Sequence, residues 1–214
     1  MEKREQVSRK NDPERTRENI LAVATEEFAA HGLAGARVDA IAERTRTSKR
    51  MIYYYFISKE DLYLAVLEKA YRKIRSREAD LQLAEMQPVA ALRTLISNTF
   101  DYDENHPDFV RLVSGENILL AAHMRRSTEI ADLNVSIIRT LTDILERGKA
   151  DGSFQREIDA IDLHLLISAF CFFRVSNAHT FSTIFQRNLS ETATYERHKK
   201  MIADAVITYL RLAI

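Results

Sequence analysis

Between Ser48 and Lys59 the chain reads SKRMIYYYFISK, with three cations and three consecutive phenols in twelve residues. An ammonium or guanidinium group binds phosphate oxygens, and an arginine fork also matches the O6/N7 edge of guanine. A phenol donates to phosphate or sugar and presents its ring to a base. A core helix has no use for that many polar groups in a row. This is the composition of a surface that grips nucleic acid, and the plainer reading beside it is a solvated basic face.

The totals leave both readings open, because 31 Lys and Arg balance 31 Asp and Glu. The local balance is more pointed. From Arg37 to Lys59 six basic residues (Arg37, Arg44, Arg46, Lys49, Arg50, Lys59) face two acids, Asp39 and Glu43. Enzyme chemistry finds little support. There is no glycine-rich phosphate loop, no metal-spaced His or Cys pair and no nucleophile motif, and His106, His123, His164 and His179 are dispersed. Neither catalysis, metal nor cofactor is expected. The single Cys171, set among Phe170, Phe172 and Phe173, reads as a buried thiol and fits a reducing compartment. The opening MEKREQVSRKND lacks the apolar run of a signal peptide, and no segment approaches a membrane span, so a cytoplasmic protein is expected.

A second set of polar residues sits inside apolar helical runs: Arg111, Asn117, Asn134, His164, Arg174, Asn177 and His179. These are the candidates for a small-molecule pocket, with Phe100, Phe109 and Phe173 as aromatic walls. Each also has a plain reading, as an exposed residue or a member of an interhelical hydrogen-bond network. Arg174 in FCFFRVSNAHTF is the sharpest, since a buried guanidinium requires an anion, either a ligand carboxylate or a protein acid. A small apolar or aromatic ligand, carrying a carboxylate or not, follows from that set.

The elements that must hold these groups are helical. Five Gly and three Pro in 214 residues leave few breakers, and Ala, Leu, Glu and Arg recur throughout. Residues 1–12 are charged and read as a basic flexible arm, whose Lys3, Arg4, Arg9 and Lys10 suit a minor groove. Asp12-Pro13 caps a first helix that Gly32 stops. Val38, Ile41 and Ala42 mark a short second helix. A turn at Thr45-Arg46-Thr47 follows, and Ser48 then caps a third, with Ile52 and Phe56 inward and Lys49, Arg50, Tyr53 and Tyr54 outward. Tyr55 stands at the margin, open to packing or to DNA. Two short helices at a tight turn, the second carrying cations and phenols, make a helix-turn-helix. Ser58 and Asp61 open a long fourth helix. Five more follow, of which 159–180 is apolar on nearly every side and needs a partner to cover it. The expected division is 13–58 for DNA binding and 59–214 for ligand binding and dimerisation.

Residues 15–68 strongly resemble the DNA-binding domain of the TetR family of bacterial transcriptional regulators. The likeness rests on a first helix ending in F-x-x-x-G, then V-x-x-I-A, then S-K-x-x-I-Y-x-Y-F-x-x-K-x-x-L. What it implies is an all-α fold of about nine helices, forming a homodimer through the last two. It also implies a near-palindromic double-stranded operator, and a small-molecule effector in the body that releases it. Repression is the commoner mode, with activation or a ligand-independent structural dimer as alternatives. By the same resemblance Arg37 and Val38 offer backbone amides to phosphate, Thr47, Ser48, Lys49 and Lys59 bind phosphates, and Arg50, Tyr53 and Tyr54 meet base edges or backbone. The family's turn commonly reads A-G-V. Here its glycine is Arg46, which leaves the fold intact if its φ is negative, and Arg50 replaces a residue that is often small.

Overall fold

The computed structural model describes residues 12–212 and is helical throughout, with no strand among them. Ten α-helices occur: α1 Pro13–Gly35, α2 Val38–Thr45, α3 Lys49–Phe56, α4 Lys59–Ala79, α5 Pro88–Asn105, α6 Pro107–Ile118, α7 Thr128–Ala150, α8 Ala160–Ser176, α9 Ala178–Phe185 and α10 Thr192–Arg211. Short 3₁₀ turns lie at Leu83–Glu85 and Met124–Arg126. The arm residues Lys3, Arg4, Arg9 and Lys10 fall outside the described residues. No single described helix is long and apolar enough to cross a membrane. By compactness the chain divides between Val66 and Leu67, within α4.

In the first unit the caps fall where the residue types place them. The Asp12 carboxylate accepts from the amides of Glu14 and Arg15 at 3.1 and 3.2 Å, and Pro13 fills the first helical position. Gly32 leaves the helix at φ 66°, where a side chain would be strained. Ile20, Leu21, Ala24 and Phe28 of α1 form one core with Ile41 of α2, Ile52 and Phe56 of α3 and Tyr63 of α4. Phe28 and Tyr63 meet edge to face at 5.1 Å. Ser58 and Asp61 cap α4 reciprocally, the Asp61 amide on Ser58 Oγ at 3.0 Å and that hydroxyl on the Asp61 carboxylate at 2.6 Å.

The α2–α3 turn overturns one expectation. Arg46 is not at negative φ; it sits in the left-handed region at φ 54°, ψ 37°, and its amide closes the end of α2 on Ala42 and Glu43. A Cβ makes that conformation unfavourable by about 1 kcal/mol. Arg46→Gly is therefore expected to raise unfolding free energy by about 1 kcal/mol in a urea titration, while weakening DNA binding by loss of one cation. Ile57, the C-cap of α3 at φ 57°, is a second such residue, so α2 and α3 both end on strained non-glycine backbone.

In the second unit α5 packs against α7, α8 and α10, and a continuous core runs through Leu92, Leu95, Ile96, Leu141, Ile144, Leu163, Val206 and Leu210. Gly148 of α7 lets the Phe154 ring lie on bare backbone, since a Cβ there would come within 2.0 Å of it. Glu116, 1% exposed, ties the loop after α6 by accepting from the amides of His123 and Met124 at 3.1 and 3.0 Å and from His123 Nδ1 at 2.9 Å. The fold has one helix more than expected because the run 159–180 breaks at Asn177. Its carbonyl accepts from the Phe181 amide and Thr180 hydroxyl, so α9 leaves α8 at 70°. Cys171 is buried as expected, and burial pushes its thiol well above the ordinary range.

Candidate nucleic-acid interface and cavity

Helix α3 separates its two faces cleanly. Ile52 is fully buried and Phe56 nearly so, while Lys49, Arg50, Tyr53 and Tyr54 stand in solvent, Tyr54 at 77% exposure. Ser48 caps the helix, its Oγ accepting from the Met51 amide at 3.2 Å. Thr47 shares its hydroxyl with Thr45 at 2.7 Å, and Thr45 in turn bonds back to the Ile41 carbonyl. Tyr55 is half-buried and lies edge-on to Tyr54.

The charges around this helix are unequally engaged. Lys49 Nζ is 2.6 Å from Asp39 Oδ1, Arg44 is bound to Glu26, and Lys59 Nζ donates to the Ala34 carbonyl at 3.3 Å. Arg37, Arg46 and Arg50 form no ion pair with a described residue. The expected amide pair at the start of α2 is reduced to one, because the Arg37 N–H donates to the buried Glu27 carboxylate at 3.0 Å. Val38 is buried and its side chain serves the core. What remains on α3 is an exposed strip of one guanidinium group and two phenols, Arg50, Tyr53 and Tyr54, carried on a capped two-turn helix.

The second unit contains a cavity of about 210 Å³ lined by Tyr71, Ile74, Arg75, Glu78, Thr99, Asp103, Phe109, Val113, Asn134, His164, Ser168 and Phe172. Five helices, α4 to α8, contribute. Arg75 and Glu78 are paired at 2.5 Å and nearly buried. Arg75 Nε has no hydrogen-bond partner. Asp103 is 4% exposed, and its carboxylate accepts no hydrogen bond among the described residues. Burial, against the pull of Arg75, pushes both Asp103 and Glu78 up to about 7. Burial also holds His164 below the ordinary imidazole range. A larger furrow of about 620 Å³ lies between the end of α7 and the start of α8. It is open, and its Lys149 and Glu157 are already paired, so the smaller cavity is the better receptor.

Asp103 carries a pH signature. Its folded pKa is raised, so between about pH 4 and pH 7 the native chain keeps a proton that the unfolded chain has lost. Stability falls as pH rises through that window, and the penalty is complete above about 7. Asp103→Asn is expected to stabilise the protein by on the order of 2 kcal/mol at pH 8 and by little at pH 4, read from urea unfolding at each pH.

Of the residues singled out in the sequence as pocket candidates, the structure brings Asn134, His164 and Phe109 to this cavity. Arg111 is exposed and 4.0 Å from Asp108, and Asn117 is exposed and bonded to the Val113 carbonyl. Asn177 forms the α8–α9 break, and Phe173 faces solvent on α8. Phe100 is in the core, edge-on to Tyr195 at 5.1 Å. Arg174 is buried on a protein acid, Glu104, with Nη2 on the Leu189 carbonyl at 2.5 Å. Sequence reasoning passed over Tyr71, Arg75, Glu78 and Asp103. The first three share the inner face of α4 at helical spacing, where Arg75 and Glu78 look like an ordinary solvated i,i+3 pair.

The model of bacterial regulatory proteins of the tetR family matches residues 20–66, and the tetracyclin repressor-like C-terminal domain matches residues 88–206. The HTH-type transcriptional repressor NicS of Pseudomonas putida is 35% identical over 211 residues, covering 99% of this chain and 100% of its own. The HTH-type transcriptional repressor SCO4008 of Streptomyces coelicolor is 32% identical over 159 residues, 74% of this chain and 77% of its own. Among solved structures, a bacterial regulatory protein in the tetR family from Rhodococcus RHA1 shares the fold. Its TM-score is 0.71 at 18% identity, over 93% of this chain and 98% of that one.

Proposed function

Because this chain belongs to the TetR family, as a ligand-responsive DNA-binding repressor, we propose that it acts as a homodimer on a near-palindromic operator through α3 and releases it when a small molecule fills the α4–α8 cavity. The observation that carries this reading is the outward face of α3. Arg50, Tyr53 and Tyr54 are presented together on a helix whose other side is locked into the core. Thr47, Ser48, Lys49, Lys59, Arg37 and the Val38 amide hold phosphates around them. In this reading residues 13–58 bind DNA and 59–214 bind ligand and partner, all in the cytoplasm. The names of the family and its relatives are those of transcriptional regulators, and no catalytic role is assigned. No group of three or more His, Cys, Asp or Glu among the described residues is placed to hold a metal.

The dimer face is α8 with α10. Ile161, Leu165, Leu166 and Phe173 of α8 and Met201 and Tyr209 of α10 are exposed in the single chain. Such a row of large apolar side chains is the expected core of a four-helix interface. A cavity between helices with unspent polar groups favours a sensor over a purely structural dimer.

The test is selection of bound fragments from the source genome with purified protein at near-physiological salt. The expected product is an inverted repeat whose half-sites lie about one helical turn, or a multiple of it, apart. Recovery without sequence preference would overturn the assignment of α3 as a reader of bases.

A further inference from the structure

The cavity's polar groups define a ligand class more narrowly than its walls do. Tyr71, Ile74, Phe109, Val113 and Phe172 make it largely apolar, and its volume of about 210 Å³ is modest. A cavity of about 150 Å³ accepts benzene, so this one has room for one substituted six-membered ring, about eight to ten non-hydrogen atoms. Two charged groups on its wall have hydrogen-bonding capacity left. Arg75 is 9% exposed, with one guanidinium N–H taken by Glu78 and Nε unpartnered. Asp103 is buried more deeply and accepts nothing from the described residues. Arg75 and Asp103 thus bring a charged donor and a charged acceptor to the wall of a single small volume.

Charge selects among the molecules that fit. Arg75 and Glu78 already neutralise one another, and Asp103 is the acid left over. A ligand carboxylate would add a second uncompensated anion beside the buried Asp103, which is strongly unfavourable. An uncharged ring avoids this, provided that it carries an acceptor for the Arg75 guanidinium and an N–H or O–H donor for Asp103. A purely apolar ring would fit but would leave both groups unmet, at a loss typical of unpaired buried polar groups. His164, neutral at physiological pH, adds no cation to change the balance.

We propose that the α4–α8 cavity takes an uncharged single-ring compound bearing adjacent donor and acceptor groups, bound between Asp103 and Arg75, and that it discriminates against ring carboxylates of the same size. The carboxylate-bearing option left open by the sequence is thereby set aside. The proposal rests on the reading of this cavity as the effector site.

The experiment compares three probes on the full-length protein at pH 7.5: 2-pyridone, which has a ring N–H beside a carbonyl, benzoate and toluene. At 1 mM, 2-pyridone is expected to raise Tm by about 3 °C and to give a calorimetric Kd at least tenfold below that of either other probe. Asp103→Leu should lose at least tenfold in 2-pyridone affinity while still binding toluene, which reports an intact cavity. If that variant does not fold, Asp103→Asn should lose affinity in the same direction. Tighter binding of benzoate, equal binding of toluene, no binding by any probe, or an unaltered Asp103 variant overturns the proposal. Release of the operator fragment is scored separately. If 2-pyridone binds without releasing DNA, the ligand class stands and the effector reading falls; if benzoate binds better and releases DNA, the reverse holds.

Discussion

Arg50→Ala combined with Tyr54→Ala lowers affinity for the selected operator fragment at least about 100-fold, with helix content and dimer mass unchanged. A bidentate arginine–guanine contact contributes about 1–3 kcal/mol, and a phenol bonded to a phosphate about 1.5–3, so losing both removes roughly 3 kcal/mol or more. Neither side chain supports the fold. Both are exposed, and the core side of α3, Ile52 and Phe56, is untouched. Alanine is also the better helix former at both positions. Lys49→Ala should matter less, about tenfold, because Asp39 at 2.6 Å already offsets that charge. Arg50→Lys should recover the phosphate-type attraction without the fork, leaving sequence preference relaxed. Fluorescence anisotropy across a salt series separates the two kinds of contact, since each lost phosphate contact flattens the log–log slope by about 0.9. A double variant that binds within threefold of the parent would remove α3 from the interface.

The division between what was legible and what was not follows from how far each signal reaches along the chain. Caps and faces are local, so Asp12, Ser48 and Ser58 and the inward Ile52 and Phe56 could be read from residues three or four apart. The φ of Arg46 could not, because a charged residue in a turn carries no mark of left-handed backbone; only the family's usual glycine hinted at it. The break at Asn177 was hidden for a similar reason. The apolar run continues across it without Gly or Pro, and only the Ser-Asn pair, which competes for backbone hydrogen bonds, signals a cap. The cavity was the least legible part. Its wall collects residues from five helices, and whether Arg75 is solvated or buried depends on helices far away in sequence. A search for polar residues within apolar runs therefore found Asn134 and His164 and missed the charged triad beside them.

Arg174 is the position where that search was right about the physics and left the partner open, and it carries the largest stability prediction. Arg174→Met is expected to lower unfolding free energy by about 3–5 kcal/mol, or Tm by roughly 10 °C for a chain of this size. The guanidinium is 6% exposed and ties α8 to three segments: α5 through Glu104 and the Phe100 ring at 4.9 Å, the loop before α10 through the Leu189 carbonyl, and α10 through His198 Nδ1 at 3.3 Å and the Tyr195 ring at 5.6 Å. Removing it strands a largely buried carboxylate and a carbonyl together, which is why the loss exceeds that of an ordinary ion pair. The double variant Arg174→Met/Glu104→Leu should regain about half of the deficit, since it removes the stranded charge but not the orphaned Leu189 carbonyl. If the single variant unfolds at the parent's temperature, the Glu104 contact is not holding α5 to α8. If the double variant is no better than the single, the loss comes from packing on Phe100 and Tyr195 and not from charge.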